Sequence, residues 1–469
     1  MSPQVFRDFQ RIYPVITRGK GVFLYDQAGR EYLDAVGGIA VVNVGHGVPE
    51  IIAAMTEQAE RVAFVHGGSF ANEPAMALAE ELATWTPRGV RHVLLLAGGS
   101  EATETAMKLA RQYHVERGRS SKYRIISRWT SYHGNTIGAL SMSGRTAWRG
   151  EFVPYLQNFP KIHPPYCYRC PYGKTYPSCQ IACADDLERL IMLEGPDSIA
   201  AFIAEPVIGT SAAGVTPPPE YYPRIRAICD KYDVLFIADE VITGVGRTGK
   251  NFGIDHWGVI PDMITTAKAL SSGYAPLAAV ILHENVYDAI ARGSARTTQG
   301  FTYSGHPPSA AVGLAVLRYL KAHDLVANAA RIGRRLLERL TSLNRFPIVG
   351  DVRGTGLILG VEFVADQATK RPFPPEAEVT RRIVEATLEE GVDYHPQLVI
   401  GHWDLVIPRD YSRTCSRTIG ARADPAEDTP RPRERFEAME RRREALHPRV
   451  TPGSPPRNTC ATSCWTIAR

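Results

Sequence analysis

VLFIADEVITGVGRTG (Val234–Gly249) and DMITTAKALSSGYAPLAAVIL (Asp262–Leu282) decide the architecture. In the first, a five-residue apolar strand delivers Asp239 and Glu240 at its carboxyl end; in the second, Lys268 sits between two strand patterns and is followed by small residues and Gly273. Upstream, short apolar strands recur as HVLLL (His92–Leu96), RIIS (Arg124–Ser127) and IAAFIAEP (Ile199–Pro206), with helical patterns between them. Strands alternating with helices predict an α/β fold built on a mainly parallel sheet.

Three further regions frame this stretch. Residues 1–48 read as strands and turns, with VFLYDQAGREYLDAVGG (Val22–Gly38) as two short strands around a glycine-containing turn. Residues 49–305 carry the alternation and are assigned to a large domain. Residues 306–392 give the helix PPSAAVGLAVLRYLKAHDL, the strand pattern VRGTGLILGVEFV and the helix EVTRRIVEATLEEG, a smaller α+β domain to which 1–48 would also contribute. Residues 393–469 differ in kind: periodicity lapses, and beyond Tyr411 the chain is rich in Arg, Pro and Cys without one Lys. This tail reads as disordered, or as the product of a frameshift in a GC-rich gene.

The net charge of +5 is confined to that tail, where Tyr411 to Arg469 holds twelve Arg against seven Asp plus Glu. A charge so placed gives no structured basic stripe, and a nucleic-acid partner is not expected. No segment offers the ~18 uninterrupted apolar residues of a membrane span, so no membrane partner is expected and the cytoplasm is the expected compartment.

Four motifs carry chemistry. In LLLAGGSEATETAMKLARQYH (Leu94–His114) an apolar strand runs through Gly98, Gly99 and Ser100 into a helix whose apolar face is Ala102, Ala106, Leu109, Ala110 and Tyr113. A glycine turn at a helix N-terminus suits a phosphate, because its N–H groups are free and the dipole is positive there; a tight turn with a serine cap reads the sequence equally well. In SYHGNTIGALSMSG, Tyr132 and His133 follow the strand RIIS, where an aromatic ring can stack on a planar ligand or simply pack. Asp239 stands where open α/β sheets bind ligands, and a carboxylate there would keep a pyridine nitrogen protonated; helix capping or magnesium are the alternatives, although no G-x4-GK[ST] phosphate loop is present. Lys268, flanked by Ala267 and Ala269, is in apolar company that would lower its pKa and make it nucleophilic toward an aldehyde.

Taken in order, GGSEA, YHGNT, EPVIG, ADEVITGVGRTG, TTAKALSSGYAPL, FTYSGHP and VRGTGL resemble the successive signatures of class III aminotransferases, from about Gly19 to Glu362. The chain is most similar to the omega-amino-acid and amine:pyruvate transaminases, with the 4-aminobutyrate and alanine–glyoxylate enzymes nearby. The resemblance implies the pyridoxal-phosphate transferase fold of type I and an active homodimer, or dimer of dimers, with sites at the interface. It implies that Lys268 holds pyridoxal phosphate as a Schiff base and then moves the substrate proton, and that Asp239 binds the pyridine nitrogen. Gly99 and Ser100 would hold the phosphate, Tyr132 and Val241 would flank the ring, His133 would belong to the same site, and Thr302 would reach the partner subunit's cofactor. Glu205 would lie at the substrate end. The partners so implied are a small-molecule amino donor and a 2-oxo acid acceptor. Aminomutase, racemase or decarboxylase chemistry on the same scaffold is the alternative, and an inactive or binding-only protein with an altered C-terminus is the other.

Departures from the pattern bear on substrate. Asp239-Glu240-Val241-Ile242 stands where 4-aminobutyrate and ornithine enzymes often read DEVQ, Ala40 stands where some aryl-amine transaminases carry Trp, and the arginine for the substrate α-carboxylate has no recognisable position in the tail. Separately, Cys167, Cys170, Cys179 and Cys183 in PPYCYRCPYGKTYPSCQIACADD have a spacing that could form a structural zinc site; independent thiols are the alternative.

Overall fold

The computed structural model describes residues 3–9 and 11–393, so the tail reading falls, from residue 394 onward, outside the described residues. The first strands are β1 (Ile16–Lys20), β2 (Phe23–Asp26) and β3 (Glu31–Asp34), an antiparallel meander. The turn between β2 and β3 is closed by Asp26, whose carboxylate accepts from the backbone N–H of Ala28 and Arg30, both at 2.9 Å.

The central layer comprises β4 (Val90–Leu96), β5 (Arg124–Arg128), β6 (Lys161–Ile162), β7 (Ile199–Ala204), β8 (Leu235–Asp239), β9 (Met263–Thr266) and β10 (Ala278–His283). Their spatial order is β4-β10-β9-β8-β7-β5-β6. β10 runs antiparallel to both its neighbours, and the pairs from β9 across to β6 are parallel. β7, β8 and β9 are buried along their whole length, as expected of parallel strands covered on both faces. Alternate residues divide between two cores: Phe236 and Ala238 enter one, Leu235 and Ile237 the other. The helix Gly99–Glu116 lays Ala102, Ala106, Leu109, Ala110 and Tyr113 on the second core, the face its periodicity predicts. The sheet is therefore mainly parallel, and the fold is α/β, as the alternation of patterns predicts.

Beyond the helices Pro307–Ala322 and Leu325–Thr341, β11 (Val349–Thr355) and β12 (Ile358–Phe363) form a hairpin, and β13 (Val392–Asp393) returns to lie parallel to β3, pairing Val392 with Leu33. Backbone contact ties the hairpin turn to the loop after β8. A Cβ on Gly356, whose φ is +57°, would lie 2.3 Å from the Thr248 carbonyl carbon, so only glycine permits this approach.

Candidate active site

The carboxyl ends of β4, β5, β7, β8 and β9 open into one pocket of about 400 Å3. Gly99, Ser100, Tyr132, His133, Glu205, Asp239, Val241 and Lys268 all lie in its wall. These residues span much of the chain in sequence, and the parallel sheet gathers them because each follows a strand end on the same side.

Asp239, the last residue of β8, is buried. Its Oδ2 accepts from His133 Nδ1 at 2.7 Å, and its Oδ1 accepts from the Val241 N–H at 3.1 Å and the Thr265 hydroxyl at 3.2 Å. Three donors fix the carboxylate and leave an acceptor position on Oδ2. Glu240, beside it in sequence, turns away and accepts from the N–H groups of Gly253 and Ile254, both at 2.8 Å, so it is a structural acid.

Lys268 follows β9 in the left-handed backbone region, with φ +44°. A non-glycine residue held there is strained, and the surrounding packing directs its side chain into the pocket it lines. Burial lowers its pKa, while the charges of Asp239 and Glu205 counter the shift. An amine so placed is available as a nucleophile and as a proton carrier.

At the end of β4 the helix Gly99–Glu116 begins with no side-chain cap, and its N-cap, Gly98, is extended. The Ser100 hydroxyl does not cap the helix; it accepts from the Asn135 N–H at 3.0 Å. The first-turn N–H groups thus face the pocket as an anion cradle. A Cβ on Gly99 would sit 3.0 Å from Val241 Cγ1, so the glycine keeps the slot between cradle and Val241 open. Tyr132 walls the pocket from the β5 end. Phosphate cradle, flat slot and buried carboxylate fit a phosphorylated pyridine ring, and Lys268 fits its aldehyde.

Glu205 lies just beyond β7, buried, with neither carboxyl oxygen hydrogen-bonded among the described residues. Burial pushes its pKa up to about 8 against the pull of Arg128, and the N–H groups of Tyr132 and Gly209 face it without closing hydrogen bonds. Arg128 donates instead to the Glu205 carbonyl at 2.5 Å and the Tyr222 hydroxyl at 3.3 Å. Because the folded pKa is raised, the folded state holds the extra proton: stability from this group is present below about pH 4.5 and is lost as pH rises through about 8. The cofactor-free wild type is therefore expected to lose thermal stability between pH 5 and 8 more steeply than Glu205→Gln. Parallel melting curves across that range would refute this expectation.

Two residues singled out in the sequence lie outside this wall. Thr302 is exposed and outside this pocket's wall. Ala40 packs among Val207, Ile242 and Ile358, and Val41 takes the pocket wall. The zinc expectation is corrected: among the described residues no group of three or more His, Cys, Asp or Glu is arranged to hold a metal. The cysteines are free thiols beside a small closed pocket. Their loop is held instead by Tyr166 and Arg169 on Glu362, by Lys370 donating to the Tyr168 carbonyl at 2.7 Å, and by Tyr172 donating to Asp186 at 2.7 Å. Sequence reading missed Thr265, which lies inside the lysine motif but was given no role, and Arg128, which lies in no motif.

The model for aminotransferase class-III matches residues 6–402. An uncharacterised aminotransferase of Bacillus subtilis, YodT, is 43% identical over 399 residues, 84% of this chain and 90% of that protein. The diaminobutyrate–2-oxoglutarate transaminase of Halomonas elongata is 40% identical, covering 81% of this chain and 82% of its own length. An amine transaminase of an uncultivated Pseudomonas species, solved with pyridoxal phosphate bound, superposes with a TM-score of 0.84 at 35% identity, over 90% of this chain and 97% of that one. The site and fold thus define a pyridoxal-phosphate transferase. This chain belongs to the class III aminotransferases, and it is a transaminase acting on a small amino donor and a keto acid. Among the described residues no helix is long and apolar enough to cross a membrane.

Proposed function

We propose that the enzyme takes its amino group from a primary amine on a terminal carbon, in an omega-amino acid or a simple amine, and passes it to a 2-oxo acid. The observation that carries this reading is the pocket wall around Lys268. Besides Lys268, Asp239, His133, Glu205 and Tyr132 it is made of small or apolar residues, among them Val41, Ile242 and Leu277, which leaves room for an unbranched substituent on the reacting carbon. The names of its relatives include a diaminobutyrate–2-oxoglutarate transaminase, a gamma-aminobutyrate transaminase and an amine transaminase, which supports this reading.

In this reading pyridoxal phosphate supplies an electron sink when bound. The first-turn N–H groups at Gly99 and the Ser100 hydroxyl bind its phosphate, Tyr132 and Val241 flank its ring, and Asp239, steadied by His133, keeps the pyridine nitrogen protonated. Lys268 Nζ would anchor the cofactor and, when free, would carry the proton of the substrate carbon. Thr302, on an exposed loop, is assigned to the partner subunit's phosphate in a homodimer. The pairing of β13 with β3 supports reading residues 1–48 and 306–392 as one smaller domain.

The test is the visible spectrum of the purified holoenzyme with an amine donor and no acceptor. Loss of the lysine-bound cofactor band on adding 4-aminobutyrate or butylamine, restored by pyruvate or 2-oxoglutarate, is the expected result. A band unchanged by every terminal amine but discharged by α-amino acids alone would overturn the donor class.

A further inference from the structure

We propose that Arg145, with Arg7 beside it, receives the carboxylate at the far end of the substrate, making this a site for omega-amino acids in preference to simple amines. The proposal rests on the function above and narrows it.

The argument starts from Tyr132, which lines the pocket. Its ring meets Trp148 edge-on, with centroids 5.3 Å apart at 73°. Two guanidinium groups stand over Trp148, Arg145 with its Cζ 5.0 Å from the ring centroid and Arg7 at 5.5 Å. Both charges reach Tyr132, since both oppose the rise that burial imposes on its hydroxyl. Two cations over one indole therefore stand next to Tyr132, just outside the residues that form the pocket wall.

Arg145 is half-buried, burial works against its charge, and the group opposing that effect is Tyr132, a phenol. Among the described residues neither Arg145 nor Arg7 is in an ion pair. Glu151, the acid nearest Arg145 in sequence, is exposed and forms no ion pair with it. Three other partly buried arginines are paired, Arg117 with Asp233 at 2.8 Å, Arg226 with Asp262 at 2.6 Å and Arg353 with Asp351 at 2.8 Å, whereas Arg149, over Trp129, shares with Arg145 the lack of an ion pair among the described residues. A partly desolvated guanidinium one side chain away from a ligand pocket, with no ion-pair partner among the described residues, suits a carboxylate. Stacking on Trp148 uses the face of the guanidinium and leaves its N–H edge for a two-pronged carboxylate contact, which an ammonium cannot reproduce.

The position suits the far end of a substrate. The amine reacts at Lys268 in the inner wall, and Tyr132 separates that point from Arg145. A carboxylate several bonds from the reacting carbon would pass Tyr132 and meet the guanidinium edge.

The test compares wild-type holoenzyme with Arg145→Gln and Arg145→Lys. With pyruvate as acceptor, the ratio of kcat/KM for 5-aminopentanoate to that for butylamine is expected to fall about tenfold in Arg145→Gln, through KM, and less in Arg145→Lys. Glutarate, which cannot react, is followed through tryptophan fluorescence, and its Kd is expected to rise about tenfold in Arg145→Gln. An equal loss with both donors, or an unchanged glutarate Kd, overturns the proposal. So does a change in oligomeric state without loss of carboxylate preference, which would mean that a second copy of the chain supplies the acid. If wild type turns over neither donor, the donor class falls, and the glutarate titration alone still decides the role of Arg145.

Discussion

Lys268→Ala is expected to lower turnover by at least about 10^3-fold while leaving the folded protein intact. Two tasks converge on this amine. It anchors the cofactor, and it carries the proton of the reacting carbon, which no other described pocket residue is placed to do: Asp239 is fixed by His133, Val241 and Thr265 with its open position assigned to the pyridine nitrogen, and Glu205 holds its proton up to about pH 8. Water reaching the vacated space is a poorer base without the fixed geometry. Stability has little to lose, because burial already works against the lysine charge and the left-handed backbone at position 268 is equally strained with alanine. The checks are single-turnover kinetics with 4-aminobutyrate, the absorbance of released and retained cofactor, and a melting curve. A small primary amine in the buffer is expected to restore part of the rate by supplying the missing proton carrier. Turnover within about tenfold of wild type would remove Lys268 from the chemistry.

How much of this was readable beforehand depends on whether the signal was local. β7, β8 and β10 announce themselves as unbroken apolar runs, and Asp239 and Lys268 stand out because each interrupts or follows such a run. The apolar face of the helix Gly99–Glu116 is equally explicit, since a 3.6-residue period can be counted from sequence. β1, by contrast, is ITRGK, polar and largely exposed; it is a strand because β2 pairs with it, and no property of its own residues says so. β13 has two residues and exists through β3. The same division holds in the pocket. Thr265 is an ordinary strand threonine until β9 is set beside β8 and its hydroxyl meets Asp239. Arg145 lies in a stretch without a motif, and its interest comes from what surrounds it: an indole, a phenol and, among the described residues, no acid paired with it. The cysteine spacing misled for the converse reason, because ligand count in sequence says nothing about whether the side chains converge with the geometry a metal demands.

Asp239→Asn is the second large effect, expected to cut kcat by about 10^2 to 10^4-fold with a much smaller change in cofactor retention. The substitution keeps shape and most contacts: the Asn oxygen still accepts from the Val241 N–H and the Thr265 hydroxyl, at the positions where Oδ1 now does. What it removes is the negative charge and the second acceptor. The amide nitrogen would face His133 Nδ1 as a donor, so the imidazole must move its hydrogen to Nε2, which has no hydrogen-bond partner among the described residues. The amide also presents N–H rather than a carboxylate to the pyridine nitrogen, which then accepts a hydrogen bond instead of holding a proton, and the ring withdraws electrons less well. Binding suffers less because the helix N-terminus at Gly99 and the Lys268 anchor remain. The discriminating experiment pairs cofactor retention on dialysis with the rate of the amine half-reaction. Retained cofactor with a slow half-reaction assigns Asp239 to the chemistry of proton removal. Lost cofactor with normal turnover after reconstitution would assign it to binding alone, and would move the electronic control of the ring to another residue of the pocket.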